Sequence, residues 1–300
     1  MSRDETAGFS VIVPTRNRPK QLETCLTAMA QLSYPRDRYE VIVVDDGGET
    51  DVTEIVRRFV PSMTVIATRC EHAGPAAARN FGVAQSSRDR LAFTDDDCTV
   101  HPDWLSALDA RMSTKPHAMI GGRVINALPA NPYSSASQSL QDFLYHWYHE
   151  QGRGQLPFFT TNNLAMSRRD FERIGGFDVS FTFASEDRDI SDRGAHAGLE
   201  LVYAPEAIVR HAHDLDLRQF ITQHFRYGQG AARFHTARAS RRRDRVRLEP
   251  PSFYLGMMGS PMSDHVQRPL SAIALLFLSQ SASFLGFAHA RATRWAADTR

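Results

Sequence analysis

EVIVVDDGG, residues 40–48, is an unbroken β-branched run, Val41 to Val44, that ends in two carboxylates and two glycines. A strand with one wet face alternates apolar and polar residues, whereas a strand apolar at successive positions is buried on both faces. The stretch has neighbours of the same kind: FSVIVPT (9–15), closed by Pro14, then MTVIATR (63–69) and LAFTDDD (91–97). Between them lie helical patterns: Leu22, Cys25, Leu26 and Met29, then Ile55, Val56 and Phe59, then GPAAARNFGVAQSS (74–87) with Pro75 in its first turn. Strand and helix alternate four times, which predicts an α/β domain on a mostly parallel sheet flanked by helices. Ligands of such sheets gather at the carboxyl ends of the strands. Pro14-Thr15, Asp45-Asp46 and Asp95 to Asp97 all fall there.

Composition narrows the classes of partner. The 300 residues are 42% hydrophobic, enough for a sizeable core, and 35 basic against 34 acidic residues give no bias toward nucleic acid. Cys25, Cys70 and Cys98 are scattered without zinc spacing, as expected of structural thiols in a reducing compartment. The opening MSRDETAGFS lacks the apolar core of a signal peptide, so a cytoplasmic location is expected.

Three successive carboxylates repel one another unless something neutralises them. A divalent cation with a preference for oxygen ligands, Mg²⁺ or Mn²⁺, would do so and would usually bridge to a phosphate. A solvated acidic turn is the bland alternative. An aspartyl phosphatase would use the same Asp95-x-Asp97 pattern, but it places that strand early in the fold and needs a later lysine, and only Lys115 follows. Asp45-Asp46 with Gly47-Gly48 suits hydrogen bonds to a ribose or a base, or is simply a turn. Arg79 and Asn80 sit on the third helix, where an arginine can grip a phosphate in two-pronged fashion. Together these groups suggest one nucleotide pocket.

SVIVPTRNR, VIVVDDGG, GPAAARNFG, FTDDDC, GGFD and SEDRDISDR, in this order, resemble the successive signatures of the family 2 glycosyltransferases, which have the GT-A fold. The resemblance runs from about Phe9 to about His213. It implies a donor pocket in which Pro14, Thr15, Arg16 and Asp45 hold the base and ribose of a nucleotide-sugar, a UDP-sugar being favoured. Asp46 and Asp96 are grouped with these donor-binding residues, and Arg79 is expected near the ribose or diphosphate. The family's DxD motif falls on Asp95 and Asp97, with Asp97 binding Mg²⁺ or Mn²⁺ and Asp95 reaching the ribose or the metal.

The same resemblance places the acceptor in the second half. Gly175, Gly176 and Phe177 belong to its wall, although two glycines after a helix also read as a C-terminal cap. Ser185 reads as an N-cap with Glu186 and Asp187 in the first turn. In the family this acidic pair includes the general base of an inverting displacement; Asp187 is assigned that role and Glu186 an orienting one. His211, after a strand, would be a third metal ligand, with His213 close enough to exchange roles. The acceptor is a hydroxyl of a glycan, a lipid or a small molecule. The alternatives are a sugar nucleotidyltransferase, which usually has a glycine-rich loop where VPTRNRPK has none, and a sugar-nucleotide-binding protein without turnover.

Other stretches leave choices open. Phe143, Tyr145, Trp147 and Tyr148 either pack together or stack on sugars. Gln223, Arg226 and Tyr227 weakly resemble the QxxRW box of processive synthases, with Tyr in place of Trp. ARASRRRDRVR (237–247) is basic, and residues 269–290 contain no Asp, Glu, Lys or Arg. That apolar segment is a core helix, a helix lying on the inner face of the membrane, or, with Ser279, Gln280, Ser281 and Ser283 at its centre, a weak span. The expected division is residues 1–110 for the nucleotide-sugar half, 111–215 for the acceptor half and 216–300 for a helical extension.

Overall fold

The computed structural model describes residues 8–150, 158–242, 249–263 and 268–298. In chain order the elements are β1 (Phe9–Thr15), α1 (Pro19–Met29), β2 (Tyr39–Asp46), α2 (Thr53–Arg57), β3 (Val65–Cys70), α3 (Pro75–Gln85), β4 (Arg90–Phe93) and β5 (Cys98–Val100). Then come α4 (Trp104–Thr114), β6 (Ala118–Asn126), α5 (Pro132–Tyr145), β7 (Leu164–Ser167), α6 (Arg168–Arg173), α7 (Glu186–His196) and β8 (Glu200–His211). Three long helices, α8 (Leu217–Arg242), α9 (Pro251–Ser263) and α10 (Pro269–Asp298), complete the described chain. The opening residues and the end of the basic run 237–247 lie outside the described residues.

Eight strands form one sheet in the order β3-β2-β1-β4-β7-β6-β8-β5. The parallel pairing implied by the alternating pattern covers β3-β2-β1-β4, with Val11 opposite Val41 and Ile12 opposite Phe93. Beyond β4 the pairing turns antiparallel, at β4–β7, β7–β6 and β8–β5, so the sheet is mixed. The apolar continuity of β1 and β2 has its cause here. Val11, Val13, Val41 and Val43 pack into one core with Leu22, Leu26 and Met29 of α1 and with Trp104, Leu105 and Leu108 of α4. Ile12 and Val44 face the other way, toward α3, so closely that a Cβ on Gly82 would sit 2.7 Å from Ile12 and 2.8 Å from Val44. The two faces are covered by different helices, as alternate residues of a doubly buried strand require.

Asn163, 1% exposed, ties the far half of the sheet together. Its Oδ1 accepts from Trp104 Nε1 at 2.9 Å, and its Nδ2 donates to the carbonyls of Arg123 and Ala207. A buried amide satisfied on both sides fixes three elements at one point.

The described residues divide into two compact units. The first holds the sheet and its helices up to Ile125, then Phe158–Thr182 and Glu186–His211. The second holds α5, α8, α9, α10 and the short segment Phe183–Ser185. Within the second unit α8 and α10 cross backbone to backbone, since a Cβ on Gly228 would lie 1.8 Å from the Ser283 carbonyl and one on Gly286 1.9 Å from that of Phe225. Phe143 and Trp147 pack with Phe253 and Met257 of α9, and the Tyr148 hydroxyl donates to Glu249 at 2.6 Å. These aromatics therefore pack against protein.

Candidate active site

The acidic triplet is not the end of a strand. Pairing of β4 stops at Phe93, and Asp95 to Asp97 form the turn into β5. Each carboxylate has its own partner, so the repulsion between neighbours is met locally. Asp96, 4% exposed, accepts from Thr15 Oγ1 at 2.7 Å and from Arg18 Nη1 at 3.2 Å. The same Arg18 nitrogen donates to Asp97 Oδ2 at 3.0 Å. Burial pushes the Asp96 carboxyl up to about 6, against the pull of Arg18. Asp95 accepts from Arg79 Nη2 at 2.7 Å.

Arg79 is buried, and its other terminal nitrogen donates to Glu186 Oε1 at 3.0 Å. Burial disfavours its charge, but the two carboxylates outweigh that effect and hold the guanidinium firmly protonated. Its plane lies over the ring of Phe177 at 5.7 Å. A group expected at a phosphate is thus the link between the triplet and the acidic start of α7.

Phe177 is 2% exposed and packs edge-on against Phe93, while Asn80 clamps its backbone with bonds in both directions. Its ring backs Arg79 from within the core. Gly175 and Gly176, at φ 82° and 65°, cap α6: the N–H of Gly176 donates to the Phe171 carbonyl and that of Gly175 to Glu172. That is the left-handed helix ending glycine permits.

Ser185 occupies the position before α7 with φ 74°, in the left-handed region instead of the extended one usual for an N-cap. The strain is met within its own unit, where Gly230 of α8 lies against the Ala184 carbonyl and Ser185 Oγ, and Arg226 stacks on Phe183 at 4.7 Å. Asp187 follows two residues later and accepts from the Arg188 N–H at 2.8 Å. Burial first, and the Glu186 charge second, push its carboxyl well above the usual range, to about 7.

On the nucleotide side Asp45, 3% exposed, accepts from the Gly48 N–H at 2.8 Å, and Arg69 approaches it at 3.4 Å. Asp46 is engaged by the loop leading into α3, accepting from the N–H groups of Ala73 and Gly74 and contacting His72 Nδ1 at 2.8 Å. Pro14 is half-buried at the end of β1 and Arg16 is exposed. Two participants carry no distinctive sequence signal. Arg18 is one of two arginines in RNRPKQ, and Asn17, at φ 56°, accepts from the Glu49 N–H at 2.6 Å across the same end of the sheet.

His211 is brought to the triplet by register, because the antiparallel β5–β8 pair sets it opposite Cys98. Its Nε2 lies 3.2 Å from Asp97 Oδ1, and the Asp97, Cys98 and His211 ligand atoms lie within 4.8 Å of one another. Burial lowers the basicity of His211, but the Asp97 hydrogen bond and charge more than restore it. Carboxylate with imidazole suits Mn²⁺. Cys98 is buried and its thiol is pushed far up by burial and by Asp95 and Asp97, so it stays protonated and is a poor ligand. Asn162, buried beside His211, has Nδ2 3.4 Å from Nδ1 and an Oδ1 without a hydrogen-bond partner among the described residues. Turning that amide over lets Oδ1 accept from Nδ1–H, so that Nε2, beside Asp97, is the nitrogen without a proton and can face a cation. These residues fit a divalent ion.

A sequence profile of glycosyl transferase family 2 matches residues 10–175. The chain is 30% identical over 223 residues to glycosyltransferase AglE of Haloferax volcanii, covering 74% of this chain and 72% of that one. Several further curated relatives are longer, and the chain spans 46 to 54% of their length. Among solved structures, the mannosyltransferase PcManGT of Pyrobaculum calidifontis, in complex with GDP-Man and Mn²⁺, aligns with a TM-score of 0.60 at 22% identity, covering 97% of this chain and 80% of that one. TarS 1–349 of S. aureus in complex with UDP aligns with a TM-score of 0.55 at 16% identity over 96% and 92%.

Proposed function

Since the chain belongs to glycosyl transferase family 2 and has the GT-A fold, we propose that it moves one sugar from a nucleoside-diphosphate sugar to an acceptor hydroxyl with inversion. The observation that carries this reading is Arg79. One buried guanidinium joins Asp95, in the turn read as donor-binding, to Glu186, the neighbour of the proposed base. The two chemistries a displacement requires, a place for the leaving diphosphate and a proton acceptor for the nucleophile, are thereby fixed to one another.

In this reading the acceptor oxygen attacks the anomeric carbon while its proton passes to the Asp187 carboxylate. The bond from that carbon to the diphosphate oxygen breaks, and the nucleoside diphosphate leaves with the electron pair. Asp187 serves because burial makes its carboxylate more basic than an exposed one. Glu186, held by Arg79, orients the first turn of α7. Asp45 and the first strand end receive the base and ribose. Asp97 and His211, with Asp95 alongside, would hold Mg²⁺ or Mn²⁺, with the imidazole favouring Mn²⁺, to neutralise charge on the departing diphosphate.

The test is a screen of UDP- and GDP-sugars with Mn²⁺ by thermal shift, followed by release of nucleoside diphosphate. One donor should raise the melting temperature by mass action and be hydrolysed slowly without acceptor. If no nucleotide-sugar shifts the transition at millimolar concentration, the proposal is wrong.

A further inference from the structure

Thirteen large hydrophobic side chains are exposed among the described residues, and ten of them belong to the second unit. Four form one stripe on α10: Leu270, Phe277, Phe284 and Leu285, exposed by 76, 69, 70 and 60%. The spacing of seven keeps them on one side of the helix. Ala272, Leu276, Ser279 and Ala282 on the other side are buried where α10 packs along α8. The apolar segment is therefore not a wholly buried core helix, and among the described residues one side of it has no protein against it. Stripes of this size on a monomer mark a contact surface.

Charge identifies the occupant. Helices α8, α9 and α10 together hold eight arginines, no lysine and a single acid, Asp298. Arg218, Arg233 and Arg291 are among the exposed ones. A second copy of the chain would set arginine against arginine, whereas anionic phospholipid headgroups would neutralise them while the acyl boundary received the phenylalanines. Pro269–Thr293 is long and apolar enough to cross a membrane, but the serines at its centre and its one buried side suit a helix that lies on a bilayer better than one that crosses it. We propose that the second unit docks on an anionic phospholipid surface through this face of α10. The inference is independent of the assignment of the catalytic carboxylates.

The experiment is co-sedimentation of the full chain with vesicles of phosphatidylcholine alone or with phosphatidylglycerol added. Binding is expected to the anionic vesicles, to weaken as salt is raised, and to fall by at least about tenfold in the double variant Phe277→Ser/Phe284→Ser. Both positions are exposed, so the circular-dichroism melt of the variant should match the parent. Arg233→Glu/Arg291→Glu should lose the preference for the anionic vesicles. Four outcomes would overturn the proposal: no pelleting with either vesicle, unchanged binding in the phenylalanine variant, a dimer in solution that this variant dissociates, or retention in native membranes after a carbonate wash, which would mean a span.

Discussion

Arg79 and Glu186 meet at 3.0 Å in the interior although α3 and α7 lie far apart in the chain. The guanidinium is shared with Asp95, so one cation orients both carboxylates. Arg79→Lys keeps the charge but loses the fork that reaches both acids. Its kcat should fall about a hundredfold with a smaller change in the KM for donor, on the order seen when a positioned catalytic group is lost. Arg79→Met leaves the buried Glu186 and the half-buried Asp95 without their shared cation and should cost about 3 kcal/mol in denaturant unfolding.

Asp187→Asn should abolish transfer while donor binding, followed by calorimetry, is retained. In the parent, kcat should rise with pH through about 7, the region to which burial and Glu186 push the carboxyl, because the base acts only when deprotonated. A profile flat between pH 5.5 and 8.5 would remove Asp187 from the role, the window being set by roughly 1.5 units either side of that value.

The same carboxylate makes a prediction about stability. Its folded pKa, about 7, lies above the ordinary value of about 4, so between those values the folded chain holds a proton that the unfolded chain has released. Stability contributed by this group therefore falls as pH rises through that window. Asp187→Asn should make the chain more stable at pH 8, on the order of 2–4 kcal/mol, and indifferent below pH ~4. The reading is the difference in urea midpoint at the two pH values.

Asp97→Ala should uncouple donor binding from Mn²⁺. The subtler variant is Asn162→Ala, which touches the ion only through His211. It should weaken Mn²⁺ affinity about 10- to 100-fold, as lost partners of ligating histidines do, measured by Mn²⁺ electron paramagnetic resonance on the full chain.

Gly230→Ala inserts a Cβ 2.7 Å from the Ala184 carbonyl and Ser185 Oγ. The segment leading into Glu186 must shift, at a cost of about 1–3 kcal/mol. Transfer should drop while Mn²⁺ binding, which uses other elements, stays as in the parent.

What could be read in advance follows the reach of each signal. FSVIVPT coincides with β1 residue for residue because a doubly buried strand announces itself locally. LAFTDDD was expected to stay extended to its last carboxylate; pairing instead stops at Phe93, since Asp95 to Asp97 are held by side chains of β1, α3 and the loop after β1. The three-residue β5 has no pattern of its own and exists because β8 pairs with it. Spacing put Arg79 on a helix, but only packing shows which carboxylates it joins. Arg16 and Arg18 are indistinguishable as letters, and the fold of the loop selects Arg18. For α10, length and polarity left three choices, and the exposed side it shows while packing on α8, α5 and α9 argues only against the wholly buried core helix.

His211 enters the cation-binding corner only as the cross-strand mate of Cys98. During synthesis, a nascent chain that has already formed β1 to β4 still lacks the imidazole. The proposed manganese site is thus incomplete until the last strand of the sheet is in place, and ion capture would be a chemical report that the first unit has closed.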